Sequence, residues 1–411
     1  MHTTAAEQPE RSPSEQEIIV ARQPIYNNGM GVFGYELLFR SPGDDPKGLR
    51  PTEATAQVLA STILEFGLNQ FVNDRKAVIN VTRAFIEVIA EIQLPPDQIV
   101  LDLPDNLAIN EELIARLEEL RSMGYSLSIG GLSNLKDQRL LPIADIFRVD
   151  VQRITASQLD ALTKFLRRHK NLALQALKVE TMEEYRSYCD QGFDYLQGYF
   201  LSRPRVYVSR DLSTNKLAIL QLLSVAHNPD TPIQELERQI MHDVSLSYKL
   251  IRLINAPFFG VPQKIDSIQR AIVLLGRDEI RKWVSLLALS GMSDEPPAIM
   301  EIAVLRAKMC ELLAEKAGLP KDRYFTVGMF SALDMLMRQP IKNILSRLPL
   351  NETVKAAILE RRGTLGDALS CALAMENAQW SGIGFMDLGP GELSEVYRQA
   401  IQWTEGMIGQ F

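Results

Sequence analysis

The 411-residue sequence is poor in the residues from which disulfide and many metal sites are built, with three cysteines and four histidines. Cys189, Cys310 and Cys371 are odd in number and far apart, which excludes a disulfide framework or a Cys-x-x-Cys zinc site and points to a reducing compartment. His2, His169, His227 and His242 are too scattered for a histidine-rich metal cluster. Positive charge is also short. Lys and Arg number 44 against 51 Asp and Glu, a net charge of −7, so no global field draws a polyphosphate backbone and nucleic acid is not expected as a partner. No run approaches the roughly 18 consecutive apolar residues of a membrane span, so no membrane association is expected. Residues 1–17 are polar and carry Pro9 and Pro13, so they read as a flexible tail and not as a signal peptide. Together with the cysteine usage, this leads to the expectation of a cytoplasmic protein. Internal repeats are absent as well.

What is present is an ordinary globular composition, 46% hydrophobic and 23% charged. At about 150 residues per domain, the length suggests two to three domains. Residues 18–204 alternate short β-like runs with helical stretches, beginning with Ile18 to Tyr26 and Phe33 to Phe39 across a turn-rich Asn27-Asn28-Gly29-Met30-Gly31. Strand then helix, repeated, predicts a parallel sheet or barrel. Residues 205–411 lose the strand signature and read as helices throughout. The fold class is therefore α/β followed by all-α, with the boundary near residues 205 to 212.

Glu36-Leu37-Leu38-Phe39-Arg40 fits Glu-x-Leu-x-Arg, and the period of two puts Glu36, Leu38 and Arg40 on one strand face. Asn80 in Val78-Ile79-Asn80-Val81, Asp102 in Leu101-Asp102-Leu103, Asp150 in Phe147-Arg148-Val149-Asp150, Glu180 in Val179-Glu180-Thr181 and Gln197 in Gln197-Gly198-Tyr199 follow in order. As an ordered set these motifs resemble the EAL family of cyclic di-GMP phosphodiesterases. The resemblance implies a TIM-like (β/α) barrel with its site at the carboxyl ends of the strands. It further implies a two-metal phosphodiester hydrolysis in which clustered carboxylates hold divalent ions.

Mapped residue by residue, Glu36, Asn80, Glu180 and Gln197 keep the family's side chains, while Asp102 is one methylene shorter than the family's glutamate. Gly130-Gly131 stand where the family has two adjacent aspartates, Arg148 where it has a lysine, and Leu177 where it has a glutamate. These departures remove charge from the metal centre. The resemblance thus leads to the expectation of a pseudoenzyme with no catalytic residue, no metal and no cofactor, in which binding of cyclic di-GMP is not expected. Arg40 and Arg148 are the candidates to pair with phosphate should such a ligand bind.

In the second half, Asp243-Val244-Ser245-Leu246-Ser247, Leu253-Ile254-Asn255-Ala256, Ala271-Ile272-Val273-Leu274-Leu275-Gly276 and Phe325-Thr326-Val327-Gly328 resemble the HDOD domain, an all-helical relative of HD hydrolases. The adjacent His242-Asp243 invites a metal-dyad reading, but Asp243 is better read as the N-cap of the following helix. The order of the two resemblances is similar to a bacterial EAL-HDOD two-domain signalling family. The leading expectation is a non-catalytic signalling or scaffold protein that binds protein partners through its HDOD half, near Asn255 to Phe259. Two alternatives stand beside it: a residual metal-dependent cyclic di-GMP phosphodiesterase, and a cyclic dinucleotide sensor that does not hydrolyse its ligand. Homodimerisation is left open.

Overall fold

The computed structural model describes residues 19–40, 68–91, 94–105, 107–131, 135, 137, 139–201, 214–228, 230–255, 265, 267–291, 296–379 and 382–408. The first of the helical stretches that the alternation predicts between strands, Glu53 to Phe66, lies outside these residues, as do the connection after Pro204 and the partner surface expected beyond Asn255.

Eight strands close into a barrel in chain order: β1 (Ile19–Asn27), β2 (Val32–Arg40), β3 (Lys76–Asn80), β4 (Ile99–Asp102), β5 (Ser126–Gly130), β6 (Ile146–Asp150), β7 (Ala173–Leu177) and β8 (Tyr195–Gln197). β1 runs antiparallel to both β2 and β8, and the remaining neighbours pair in parallel. The expected opening hairpin is thus present, with Asn27 turning the chain: its Oδ1 accepts from the N–H groups of Gly29 and Gly31.

Among the described residues the longest helices that follow barrel strands are α1 (Glu111–Ser122), α2 (Ala156–Leu166) and α3 (Met182–Asp190), with a short one, Arg83–Val88, after β3. Their starts are written locally. Asn110 and Thr181 accept from the backbone N–H three residues on, and Thr155 with Gln158 forms a capping box. α1 then buries Leu113, Leu117 and Leu120 on one stripe, and α2 buries Leu159, Leu162 and Leu166, the spacing that one face of a helix requires.

The barrel interior has two layers. Ile25, Val78, Val100 and Ile146 form an apolar plug, with Phe33, Ala173 and Tyr195 packed against it. Two residues further along the parallel strands, the same inward face turns polar, with Asn80, Asp102, Arg148 and Gln197. The strand period of two carries both layers, so the plug supports the polar floor of the barrel mouth.

The helical half comprises α4 (Thr214–His227), α5 (Ile233–His242), α6 (Val244–Ile254), α7 (Ile268–Ser290), α8 (Pro297–Lys316), α9 (Asp322–Phe330), α10 (Glu352–Glu360), α11 (Gly363–Glu376) and α12 (Pro390–Ile408), with short helices between α9 and α10. α7 is broken at Gly276, whose φ of 80° lies in the left-handed region that glycine tolerates, so it consists of two helical runs that meet at a kink. Cys310 and Cys371 are buried as free thiols.

The two halves pack through the outer face of the β1–β2 hairpin, which α11 and α12 cover. Arg22 is only 3% exposed; it donates to the Phe71 carbonyl at 2.6 Å and to Glu405 at 3.2 Å, with its guanidinium 4.0 Å above the Tyr35 ring. Tyr35 donates its hydroxyl proton to Glu301 on α8, and Arg75 donates to both oxygens of that carboxylate at 3.2 Å. The contact is a largely buried, multiply paired charge network that joins the barrel to the helices.

Candidate functional site

Glu36 stands on the inward face of β2, opposite Gln23 of β1. Its two carboxylate oxygens are held separately: Asn80 Nδ2 donates to Oε1 at 2.7 Å, and Gln197 Nε2 donates to Oε2 at 2.6 Å. Gln197 also donates to Gln23 at 3.2 Å and accepts from the Gln175 amide at 2.7 Å. Neutral amide donors from β3 and β8 therefore fix the orientation of one carboxylate without cancelling its charge. Among the sequence candidates, Glu36, Asn80 and Gln197 are brought together. Gln23 and Gln175 belong to the same cluster, and only their inward register, invisible in a short motif, identifies them.

Asp102 ends β4 next to Asn80 in the register, 2% exposed. The Arg148 guanidinium forms an ion pair with it, Nε to Oδ1 at 2.5 Å, and donates through Nη2 to the Leu103 carbonyl at 3.0 Å. Burial pushes the Asp102 carboxyl up to about 7; Arg148 pulls it back down, and the negative charges of Glu36 and Asp105 add to the rise. Arg148 lies opposite Gly130 in the β5–β6 pairing, so its side chain crosses the floor where Gly130 offers none.

Gly130 and Gly131 leave space that another residue takes. A Cβ built on Gly131 would lie 2.9 Å from both Cβ and Cγ of Asp105, and one on Gly130 would lie 3.1 Å from Asp105 Oδ1. Asp105 comes from the turn after β4, not from a strand. Its Oδ1 is 3.6 Å from Arg148 Nη2, with its side chain 57% exposed. Gly131 moreover has φ 76°, a backbone that an aspartate rarely adopts.

The other candidates make contacts of their own. Asp150 accepts from Lys178 at 2.6 Å and pairs with Arg153 at 3.2 Å, while Glu180 accepts from Gln152 at 2.7 Å. Leu177 sits beside Asp150 and Gln197 in the register without a polar atom to offer. Arg40 closes β2, and its side chain is outside the described residues. In the helical half, Asp243 caps α6 by accepting from the Leu246 N–H at 3.0 Å. His227 is buried, 2.9 Å from the Ser285 hydroxyl, and burial together with the Arg281 charge pulls its imidazole down to about 3.

The hard oxygen donors here are of the kind that magnesium or manganese takes, but among the described residues no three acidic, histidine or cysteine side chains converge on one point. The Arg148 guanidinium occupies Asp102, and the amides of Asn80 and Gln197 occupy Glu36. The residues as arranged do not fit a two-ion centre.

Comparison with known proteins joins the two halves. The family model described as "EAL domain" matches residues 6–204, and that described as "HDOD domain" matches residues 212–347. The Bacillus subtilis (strain 168) protein YuxH, named as uncharacterized, is 30% identical over 405 residues, covering 95% of this chain and 99% of the relative. The Vibrio cholerae protein CdgJ, named a cyclic di-GMP phosphodiesterase, is 30% identical over 400 residues, covering 94% of this chain and 92% of the relative. A solved complex of the PaMucR phosphodiesterase with c-di-GMP is 22% identical, covering 46% of this chain and 96% of that one, at a TM-score of 0.38.

The expectation of a pseudoenzyme is corrected by the match to CdgJ, which extends across both domains. Its physical weakness was to compare the mouth strand by strand. A barrel mouth is also filled from its loops, and a carboxylate stands over Gly130-Gly131 although neither glycine supplies it. No described helix is long and apolar enough to cross a membrane. With a closed eight-stranded barrel, a helical second half and relatives matched almost end to end, the chain belongs to the bacterial EAL-HDOD family of two-domain signalling proteins.

Proposed function

We propose that the chain works in cyclic di-GMP signalling and that its barrel mouth takes up this dinucleotide and opens it as a phosphodiesterase. The observation that carries this reading is the coincidence of the two-domain match to CdgJ with the amide-held Glu36 at the mouth. It replaces the expectation that cyclic di-GMP is not bound.

The chain's own residues have definable work in this reading. Asn80 and Gln197 fix Glu36 so that its charge faces the mouth in one orientation, which limits reorganisation when a substrate arrives. Arg148 brings a fixed positive charge to a floor whose other polar groups are carboxylates and neutral amides, where a phosphodiester needs one. No step is assigned through a metal, because the described donors do not close a metal centre. The helical half is the proposed output surface. Met241, Tyr248, Val273 and Leu274 are its exposed large apolar side chains on α5, α6 and α7, and protein partners are proposed to dock there.

The test is direct. Full-length protein is incubated with cyclic di-GMP in magnesium, in manganese and in EDTA, and the linear dinucleotide is separated and quantified. Product that rises in proportion to enzyme and vanishes in Glu36→Ala supports the reading; no product above buffer in any condition overturns it.

A further inference from the structure

Arg148 holds two carboxylates of very different standing. Asp102 is buried and in contact at 2.5 Å, whereas Asp105 is more than half exposed, on a turn, and 3.6 Å away. The first pair is shielded from water and costly to break; the second is worth little and is open to exchange. Asp105 is also packed into the void over Gly130-Gly131, so its carboxylate lies at the mouth with the guanidinium beneath it. An incoming phosphodiester carries the same charge as Asp105 and offers two oxygens to the guanidinium fork. It competes for the same face of Arg148.

We propose that Asp105 is an internal stand-in for the ligand's phosphate. Its carboxylate covers Arg148 until a phosphodiester of the dinucleotide displaces it, so that uptake at the barrel mouth draws its positive charge from Arg148 and not from a divalent ion. This rests on the reading of the mouth as a cyclic di-GMP site. Asp102 is the anchor in this arrangement: its buried contact at 2.5 Å keeps the guanidinium on the floor while the exposed partner leaves. The Gly130-Gly131 pair is what gives Asp105 room to lie there, because a side chain at either position would collide with it or crowd it.

The experiment is calorimetric titration of the full-length protein with cyclic di-GMP and, separately, with inorganic phosphate, each in EDTA and in magnesium. In EDTA, Asp105→Asn is expected to bind cyclic di-GMP about three- to tenfold tighter than wild type, since the competing charge is gone while the shape is kept. Arg148→Gln alone would leave Asp102 buried and unpaired, so the informative variant is the neutral pair Asp102→Asn with Arg148→Gln. It is expected to fold and to lose affinity by about thirtyfold or more.

Unchanged or weaker binding by Asp105→Asn in EDTA overturns the proposal. So does binding that appears only with magnesium and is lost in Asp105→Asn, which would make Asp105 a cation ligand. If wild type binds no cyclic di-GMP in either condition, the functional reading falls. The phosphate titration then decides the proposal separately: tightening by Asp105→Asn and loss in the neutral pair uphold it, and the absence of that pattern overturns it.

Discussion

The β1–β2 hairpin carries two polar networks back to back, one residue apart in sequence. Outward, Arg22 and Tyr35 meet Glu301 and Glu405 from the helical half in a largely buried contact. Inward, Gln23 and Glu36 meet Asn80 and Gln197 at the barrel mouth. The outer network pairs charge with charge and is closed by packing. The inner one surrounds a charge with neutral amides. Full charge pairing under cover makes a joint between domains, whereas an oriented but uncancelled carboxylate at an opening is suited to meet a ligand.

The largest expected effect tests the outer face. Arg22→Ala should cost about 3–5 kcal/mol of stability, because it takes the guanidinium partner from Glu405 and from the buried Phe71 carbonyl and leaves a void against the Tyr35 ring. Glu36→Ala should cost nearer 1 kcal/mol, since water at the mouth can take up the freed amide donors. Denaturant unfolding of both variants measures the difference; equal costs would break the distinction between joint and site.

A second test contrasts the mouth with the helical core through pH. The folded Asp102 carboxyl sits near 7 against its ordinary 3.8, so between those values the folded state holds a proton that the unfolded chain has released. Its contribution to stability therefore falls as pH rises from about 4 to 7. The groups facing it are Arg148, Glu36, Ser128 and Asp105. His227 does the opposite. Held near 3 against an ordinary 6.5, it stays neutral in the fold while the unfolded chain takes up a proton, so stability is lost as pH falls from about 6.5 to 3. The two slopes oppose each other between pH 4 and 6.5. Relative to wild type, the stability of Asp102→Asn should rise with pH across this window and that of His227→Gln should fall, each by on the order of 2 kcal/mol. Parallel profiles in thermal unfolding would show that neither burial has its assigned consequence.

A smaller effect probes the filled space at the mouth. Gly131→Asp should destabilise by about 1–2 kcal/mol through its left-handed backbone and the contact with Asp105. Adding Asp105→Ala should recover the part due to collision, and a double variant no more stable than the single would mean that Asp105 does not occupy that space. Smallest of all, Lys164→Ala on α2 removes an exposed pair with Asp160 and should change stability by less than about 0.5 kcal/mol.

Much of the barrel was legible in the chain. The alternation of strands and helices and the opening hairpin follow from short-range periodicity, and the polar positions at strand ends were named by the resemblance of their motifs to the EAL family. Thr155 with Gln158 and Asn110 mark their helices within four residues, because a cap is satisfied locally. Less of the site could be read. Glu36, Asn80 and Gln197 could be named from their motifs, but the same motif order gave no sign that Asp150 and Glu180 would turn to Lys178 and Gln152 instead. Asp105 carried no signal either, since nothing in Pro104-Asp105-Asn106 says that the turn folds back over two glycines.

The sequence by itself determined the two-domain architecture and the inward alternation along each strand, because these depend on the properties of residues two to four apart. Tertiary structure alone decided which charges meet. Arg22 became a domain joint because α12 brings Glu405 and α8 brings Glu301 to the outside of β1. Arg148 became the shared partner of Asp102 and Asp105 because β4, its following turn and β6 converge at one end of the barrel. Attraction between charges falls with distance and depends on the surrounding dielectric, and neither quantity exists until the strands have closed and water has been excluded.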